Sequence, residues 1–221
     1  MSSVLHRIAH HLVVGVAGTE LTPDEERYLG EEPPAGVILF SRNVSSSVQL
    51  AALTERIREV TASNGGLDPL IMADHEGGRI SVLSCAIGAP PSQAAVARTG
   101  SLKLSRLLYR EVASDLRALG LNVLLGPVAD VNTDPLNPVI GTRSFGDDPA
   151  RVAVLVRESV IEIQRGKVAA CIKHFPGHGS TSDDSHLSLP VIKRTPAQLK
   201  EFDRPPCGAG VWAGASMVMM G

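Results

Sequence analysis

The sequence predicts an α/β fold: a (β/α)8 TIM-barrel-like domain that is incomplete, with about the first six strand–helix units present. Strand-like and helix-like stretches alternate along the chain without hairpin signals between strands. That alternation implies a parallel sheet with helices outside it. Charged residues recur just after several different strands: Arg42, Asp74, Asp130, Lys173 and His174. Side chains converging from many strand ends favour a barrel over an open sheet. The barrel is expected to be incomplete because a closed one takes about 250 residues, whereas this chain has 221.

Taken in order, Leu12 to Val16 is a short β-like run bounded by Gly15 and Gly18. Thr22-Pro23-Asp24-Glu25 gives an N-cap with proline at the first helical position. Gly36 to Phe40 is a second buried strand. Ser47 to Thr61 places Leu50, Leu53, Ile57 and Val60 on one helical face, and Asn64-Gly65-Gly66 stops that helix. Leu70 to Ala73 is the third strand, with Asp74 at its end. Leu102 to Leu119 is a helix stopped by Gly120, and Leu121 to Leu125 is the fourth strand. Pro149 to Gln164 is a helix ended by Gly166, and Val168 to Ile172 is the fifth strand. Pro196 to Phe202 forms a short helix, and Ser216 to Met220 a sixth strand. No glycine-rich dinucleotide or phosphate loop follows any of the strands. No repeat or linker divides the chain, so residues 1–221 are taken as one domain.

The composition is 43% hydrophobic and 20% charged, with a formal charge of −2, as in soluble globular proteins. It offers no electrostatic case for a nucleic-acid or membrane partner. Cys85, Cys171 and Cys207 show no CxxC spacing, which argues for a reducing compartment. The apolar run Leu12 to Ala17 is too short for a signal segment or a membrane span, so the expected location is cytoplasmic. Aromatic residues make up only 3% of the chain, which disfavours recognition of a ligand by ring stacking.

Three polar stretches carry the chemistry. Asp74-His75-Glu76-Gly77-Gly78-Arg79 places a carboxylate at a strand end, where it can accept hydroxyl hydrogen bonds or cap the next turn. Glu76 and Arg79 are expected to form an ion pair that holds this loop. Asn137 to Gly146 presents Arg143, a planar donor suited to fixed oxygens. The third stretch runs from Lys173 to His186, with three of the seven histidines, and follows the fifth strand directly. Asp184 and His186 are two apart, so in extended chain they share a side, and a carboxylate beside an imidazole fixes its tautomer. His186 is thus a candidate general acid near neutral pH. His174, His178, Asp184 and His186 also admit a metal-site reading, which Lys173 beside them opposes.

Lys173-His174-Phe175-Pro176-Gly177-His178-Gly179, followed by Asp184-Ser185-His186, resembles the signature of glycoside hydrolase family 3, in its bacterial β-N-acetylhexosaminidase branch. The Asp74 to Arg79 and Ile140 to Phe145 segments resemble further segments of the same family. The resemblance implies hydrolysis of terminal β-linked N-acetylglucosamine by a retaining mechanism, on peptidoglycan fragments, with a carbohydrate as partner and neither metal nor other cofactor. It implies substrate binding by Asp74, Arg143, Lys173 and His174. It also implies acid/base catalysis by His186, oriented by Asp184. Two departures stand out. Val82 occupies a position where the family usually has a substrate-facing arginine. No aspartate of this chain stands in the family's nucleophile context, and the resemblance covers about the first two-thirds of the family's catalytic domain. The chain by itself is therefore expected to be inactive, and Asp74, Arg143, Lys173, His174 and His186 are expected to converge at one mouth of the strand array.

Overall fold

The structure, a computed structural model, describes residues 8–63, 68–180 and 194–221. Six parallel strands form one sheet in the order β1 (Val13–Gly15), β2 (Gly36–Leu39), β3 (Leu70–Ala73), β6 (Val123–Leu124), β7 (Ala169–Phe175) and β8 (Met217–Met220). Between β3 and β6 lies a small antiparallel pair, β4 (His75–Gly77) and β5 (Ile80–Ser81). This hairpin corrects the expectation that the chain has none. Its polar, glycine-rich sequence gives no apolar alternation, so pairing across the Gly78-Arg79 turn leaves no periodic trace.

The helices are α1 (Pro23–Glu31), α2 (Ser47–Ala62), α3 (Ser84–Ile87), α4 (Gln93–Arg98), α5 (Leu102–Ala118), α6 (Pro149–Arg165), α7 (Pro196–Gln198) and α8 (Arg204–Trp212). Thr22 caps α1 as its sequence foretells: its hydroxyl accepts from the Glu25 amide, and Glu25 returns the bond to the Thr22 amide. The helix expected at Pro196 to Phe202 is α7 followed by a π turn, Leu199–Asp203, which leads into α8. Pro205, Pro206, Gly208 and Gly210 argue against α8 in the sequence. The prolines sit in its first turn, where no N–H is lost from the ladder. Gly210 lets the helix approach the sheet, since a Cβ there would lie 3.0 Å from two Ile172 carbons.

Period-2 alternation sorts the strands into two faces. Val37, Leu39, Ile71, Ala73, Leu124, Ala170 and Ile172 face the helices and join the main core. Ile38, Met72, Val123 and Ala169 occupy one register row across β2, β3, β6 and β7. With Leu125, Cys171, Met217 and Met219 they line the opposite, inner face. The sheet thus curls into a half-barrel, with β1 and β8 at its two ends. Continuing each inner-face row by two residues leads from Met72 to Asp74 and from Cys171 to Lys173. The pleat itself aims these two charged side chains into the mouth above the barrel interior.

Candidate active site

Lys173 lies within β7, which runs three residues further than the apolar pattern Val168 to Ile172 indicates. Neighbours on both sides hold this extension. Lys173 pairs in register with Met219, and Val128 bridges to Lys173 from the segment after β6. The Ala129 amide donates to the Lys173 carbonyl at 2.6 Å. Gln93, buried, exchanges two 2.9 Å hydrogen bonds with the backbone of Val128 and so completes that segment. The result places Asp130 opposite His174.

The side chains form a charged network. Lys173 Nζ contacts Asp74 Oδ1 and lies 2.6 Å from Glu76 Oε1. Among the described residues, two of its three N–H donors are thereby used and one is left over. Glu76 also accepts from Arg143, with Nε at 2.7 Å and Nη2 at 2.8 Å, a two-pronged pairing. Burial pushes the Glu76 carboxyl up, but the Arg143 hydrogen bond and the Lys173 and Arg143 charges outweigh it and hold it below its ordinary value. His174 Nδ1 stands 2.7 Å from Asp130 Oδ2, and His174 Nε2 stands 3.5 Å from Arg143 Nη2. Side-chain exposure grades from 1% at Glu76 and 2% at Lys173, through 11% at Arg143 and 15% at His174, to 28% at Asp74. Asp74 and His174 are therefore the members most open to solvent, while Glu76 and Asp130 lie beneath.

The expected Glu76–Arg79 ion pair is not formed. Arg79 donates to the carbonyls of Pro138, Val139 and Ile140, and so straps the β4–β5 turn to the loop that carries Arg143. Glu76 instead takes partners far away in sequence, and it became legible only once the fold brought Arg143 and Lys173 beside it. Val82 packs against the main core, where it adds nothing polar to the network.

The loop after β7 is held through its backbone. Asp130 Oδ1 accepts from the His178 amide at 2.7 Å, and Asn137 Nδ2 donates to the His178 carbonyl at 2.8 Å. Both glycines around His178 are needed. Gly177 adopts φ +143° against Asp203, and a Cβ on Gly179 would sit 2.0 Å from the Val131 carbonyl oxygen. The buried His178 ring packs edge-on to His174, with centroids 6.1 Å apart. Asp203, 1% exposed, pairs with Arg194 at 3.0 Å, and Arg194 also donates to Thr133. Burial raises the Asp203 carboxyl above its ordinary range, with Arg194 opposing. Asp184 and His186 lie outside the described residues.

Residues 7–221 match the description Glycosyl hydrolase family 3 N terminal domain. The chain belongs to glycoside hydrolase family 3. It is 38% identical over 216 residues to a beta-hexosaminidase of Xylella fastidiosa, covering 95% of this chain and 62% of that protein. Among solved structures, a family 3 beta-N-acetylglucosaminidase from Paenibacillus is 31% identical with a TM-score of 0.91. That match covers 99% of this chain and 42% of the other. Native NagZ from Neisseria gonorrhoeae is 30% identical with a TM-score of 0.87, covering 95% and 62% respectively. The chain thus spans about 62% of the length of the curated relative from Xylella.

Within this family 3 domain, the structure brings together four of the five residues expected to converge: Asp74, Arg143, Lys173 and His174. The fifth, His186, is not among the described residues. Two members, Glu76 and Asp130, were not singled out as site residues from sequence. Asp130 had one usable signal, its place just after the fourth strand.

Proposed function

We propose that this mouth grips the terminal, β-linked N-acetylglucosamine of a glycan, as the binding half of a family 3 glycosidase site. The observation that carries the reading is the clustering of Asp74, Arg143, Lys173 and His174 at the C-terminal ends of the strands. A sugar hydroxyl both donates and accepts. Asp74 offers an acceptor, Lys173 a remaining N–H, and His174 a ring nitrogen, all within reach of one small polyol. The likeness to the Paenibacillus beta-N-acetylglucosaminidase and the Xylella beta-hexosaminidase supports an N-acetylhexosamine as the ligand, and fragments of peptidoglycan are the substrate class the resemblance implies.

In the reaction we infer, His186 protonates the leaving oxygen and later activates water, with Asp184 orienting its ring. The mechanism is double displacement through a covalent glycosyl-enzyme, which needs a carboxylate nucleophile about 5 Å from the acid. Asp74 and Asp130 are committed to Lys173 and His174, so neither is assigned that role. The 221-residue chain is proposed to bind sugar without turning it over, in the cytoplasm.

Calorimetric titration with N-acetylglucosamine, beside an aryl N-acetyl-β-glucosaminide assay, tests the reading. The chain should bind in the region of about 1 mM, or about −4 kcal/mol, and Lys173→Met should abolish binding. Binding indifferent to Lys173→Met would remove the site from this mouth, and turnover by the chain alone would mean that one of its own carboxylates is the nucleophile.

A further inference from the structure

We propose that Asp130 is a positioning residue: it fixes His174 in the tautomer protonated at Nδ1, so that Nε2 meets the ligand only as a hydrogen-bond acceptor. The inference rests on the sugar-binding reading for its ligand, and on geometry alone for the tautomer. The Asp130 side chain is fully enclosed, and its oxygens face donors. Oδ1 accepts the His178 amide at 2.7 Å and the His174 amide at 3.4 Å. Oδ2 lies 2.7 Å from His174 Nδ1. An ionised carboxylate can only accept, so the proton of that contact sits on Nδ1.

The other ring nitrogen has the opposite neighbour. His174 Nε2 is 3.5 Å from Arg143 Nη2, and a guanidinium has only donors. An N–H on Nε2 would point at an N–H. Arg143 cannot move aside to relieve this, because Glu76 holds it with two hydrogen bonds at 2.7 and 2.8 Å. Asp130 from one side and Arg143 from the other therefore select the same tautomer.

The consequence is a polarity rule for the ligand. Lys173 and Arg143 present donors, and Asp74 and His174 Nε2 present acceptors. A ligand group facing His174 must carry a hydrogen to give. A hydroxyl meets that demand, while a carbonyl, carboxylate or phosphate oxygen does not. The same Asp130 carboxylate anchors the His178 backbone, so ring orientation and loop position are set by one group.

The test is nitrogen NMR of the imidazole rings in the 221-residue chain, wild type and Asp130→Asn, with N-acetylglucosamine titrated into each. Asparagine keeps an acceptor for the His178 amide but turns an NH2 toward His174 Nδ1, which moves the ring proton to Nε2. The wild type should show His174 unprotonated at Nε2, the variant should show the reverse, and sugar affinity should fall about tenfold. The wild-type tautomer alone decides the matter if the variant does not fold: a proton on Nε2 overturns the proposal. An Asp130→Asn ring with its wild-type tautomer and affinity also overturns it. A wild-type ring protonated at Nδ1 in a chain that binds no N-acetylglucosamine would sink the sugar reading and leave the hold of Asp130 on His174 established.

Discussion

Replacing Glu76 by glutamine should cost more stability than any surface charge change in the molecule. The Glu76 side chain is 1% exposed and accepts from Lys173 at 2.6 Å and from Arg143 at 2.7 and 2.8 Å. Glutamine offers one carbonyl oxygen and an NH2, so at least one of these donors would meet another donor. Lys173 would keep only Asp74, and Arg143, 11% exposed, would lose its carboxylate. Removing one partner of a buried ion pair costs about 3–5 kcal/mol, against a total of about 5–15 kcal/mol for a domain. At about 2–4 °C per kcal/mol for a chain of this size, the thermal midpoint should fall by roughly 6–20 °C. Circular dichroism melts of wild type and Glu76→Gln read this directly. Asp24→Asn is the control, because its Arg27 pair is 67% and 85% exposed, and such pairs contribute about 0–1 kcal/mol. If Glu76→Gln melts within the error of Asp24→Asn, the buried network does not hold the mouth together.

His75 and Glu76 should both make the fold acid-sensitive. Burial pulls His75 from 6.5 to about 4, so its contribution is complete above pH 6.5 and is lost as pH falls toward 4, by roughly 3 kcal/mol at 1.36 kcal/mol per unit. Glu76 is held below its ordinary value, so its contribution is complete above the unfolded carboxylate range and is lost at still lower pH. Urea midpoints at pH 7 and pH 4.5 should differ clearly, and His75→Phe should shrink that difference. Gly179→Ala should cut N-acetylglucosamine affinity by tenfold or more, because the added Cβ would lie 2.0 Å from the Val131 oxygen and the loop must move; calorimetry checks it, and unchanged affinity counts against the loop's part in binding. Asp203→Ala leaves the partly buried Arg194 without its carboxylate, and should lower stability by about 3 kcal/mol in urea unfolding.

The strands were the most legible part of the fold. Leu70 to Ala73 matches its sequence boundaries, and the last strand starts one residue after Ser216, since each is an apolar run flanked by breakers or charge. β7 was read short because Lys173 and His174 look like loop residues. Their strand geometry comes from Val128 and Met219, which no local pattern contains. α8 was missed because its prolines and glycines are breakers by propensity, tolerated here by position and by contact with Ile172. In the site, Asp74, Lys173 and His174 were legible as charges at strand ends. Sequence offers Glu76 only local partners, of which Arg79, three residues on, is the nearest cation. The fold chose Arg143 instead, at a separation of 67 residues.

The central claim, that sugar binds among Asp74, Arg143, Lys173 and His174, is tested most directly by mapping N-acetylglucosamine onto the amide NMR spectrum of the 221-residue chain. Saturable shifts should concentrate at Asp74 to Gly77, Ile140 to Ser144 and Lys173 to Gly179, the three segments that meet at the mouth. Shifts gathered instead in the apolar groove between α8 and β8, lined by Phe175, Val211, Trp212 and Met220, or no saturable shifts at all, would contradict it.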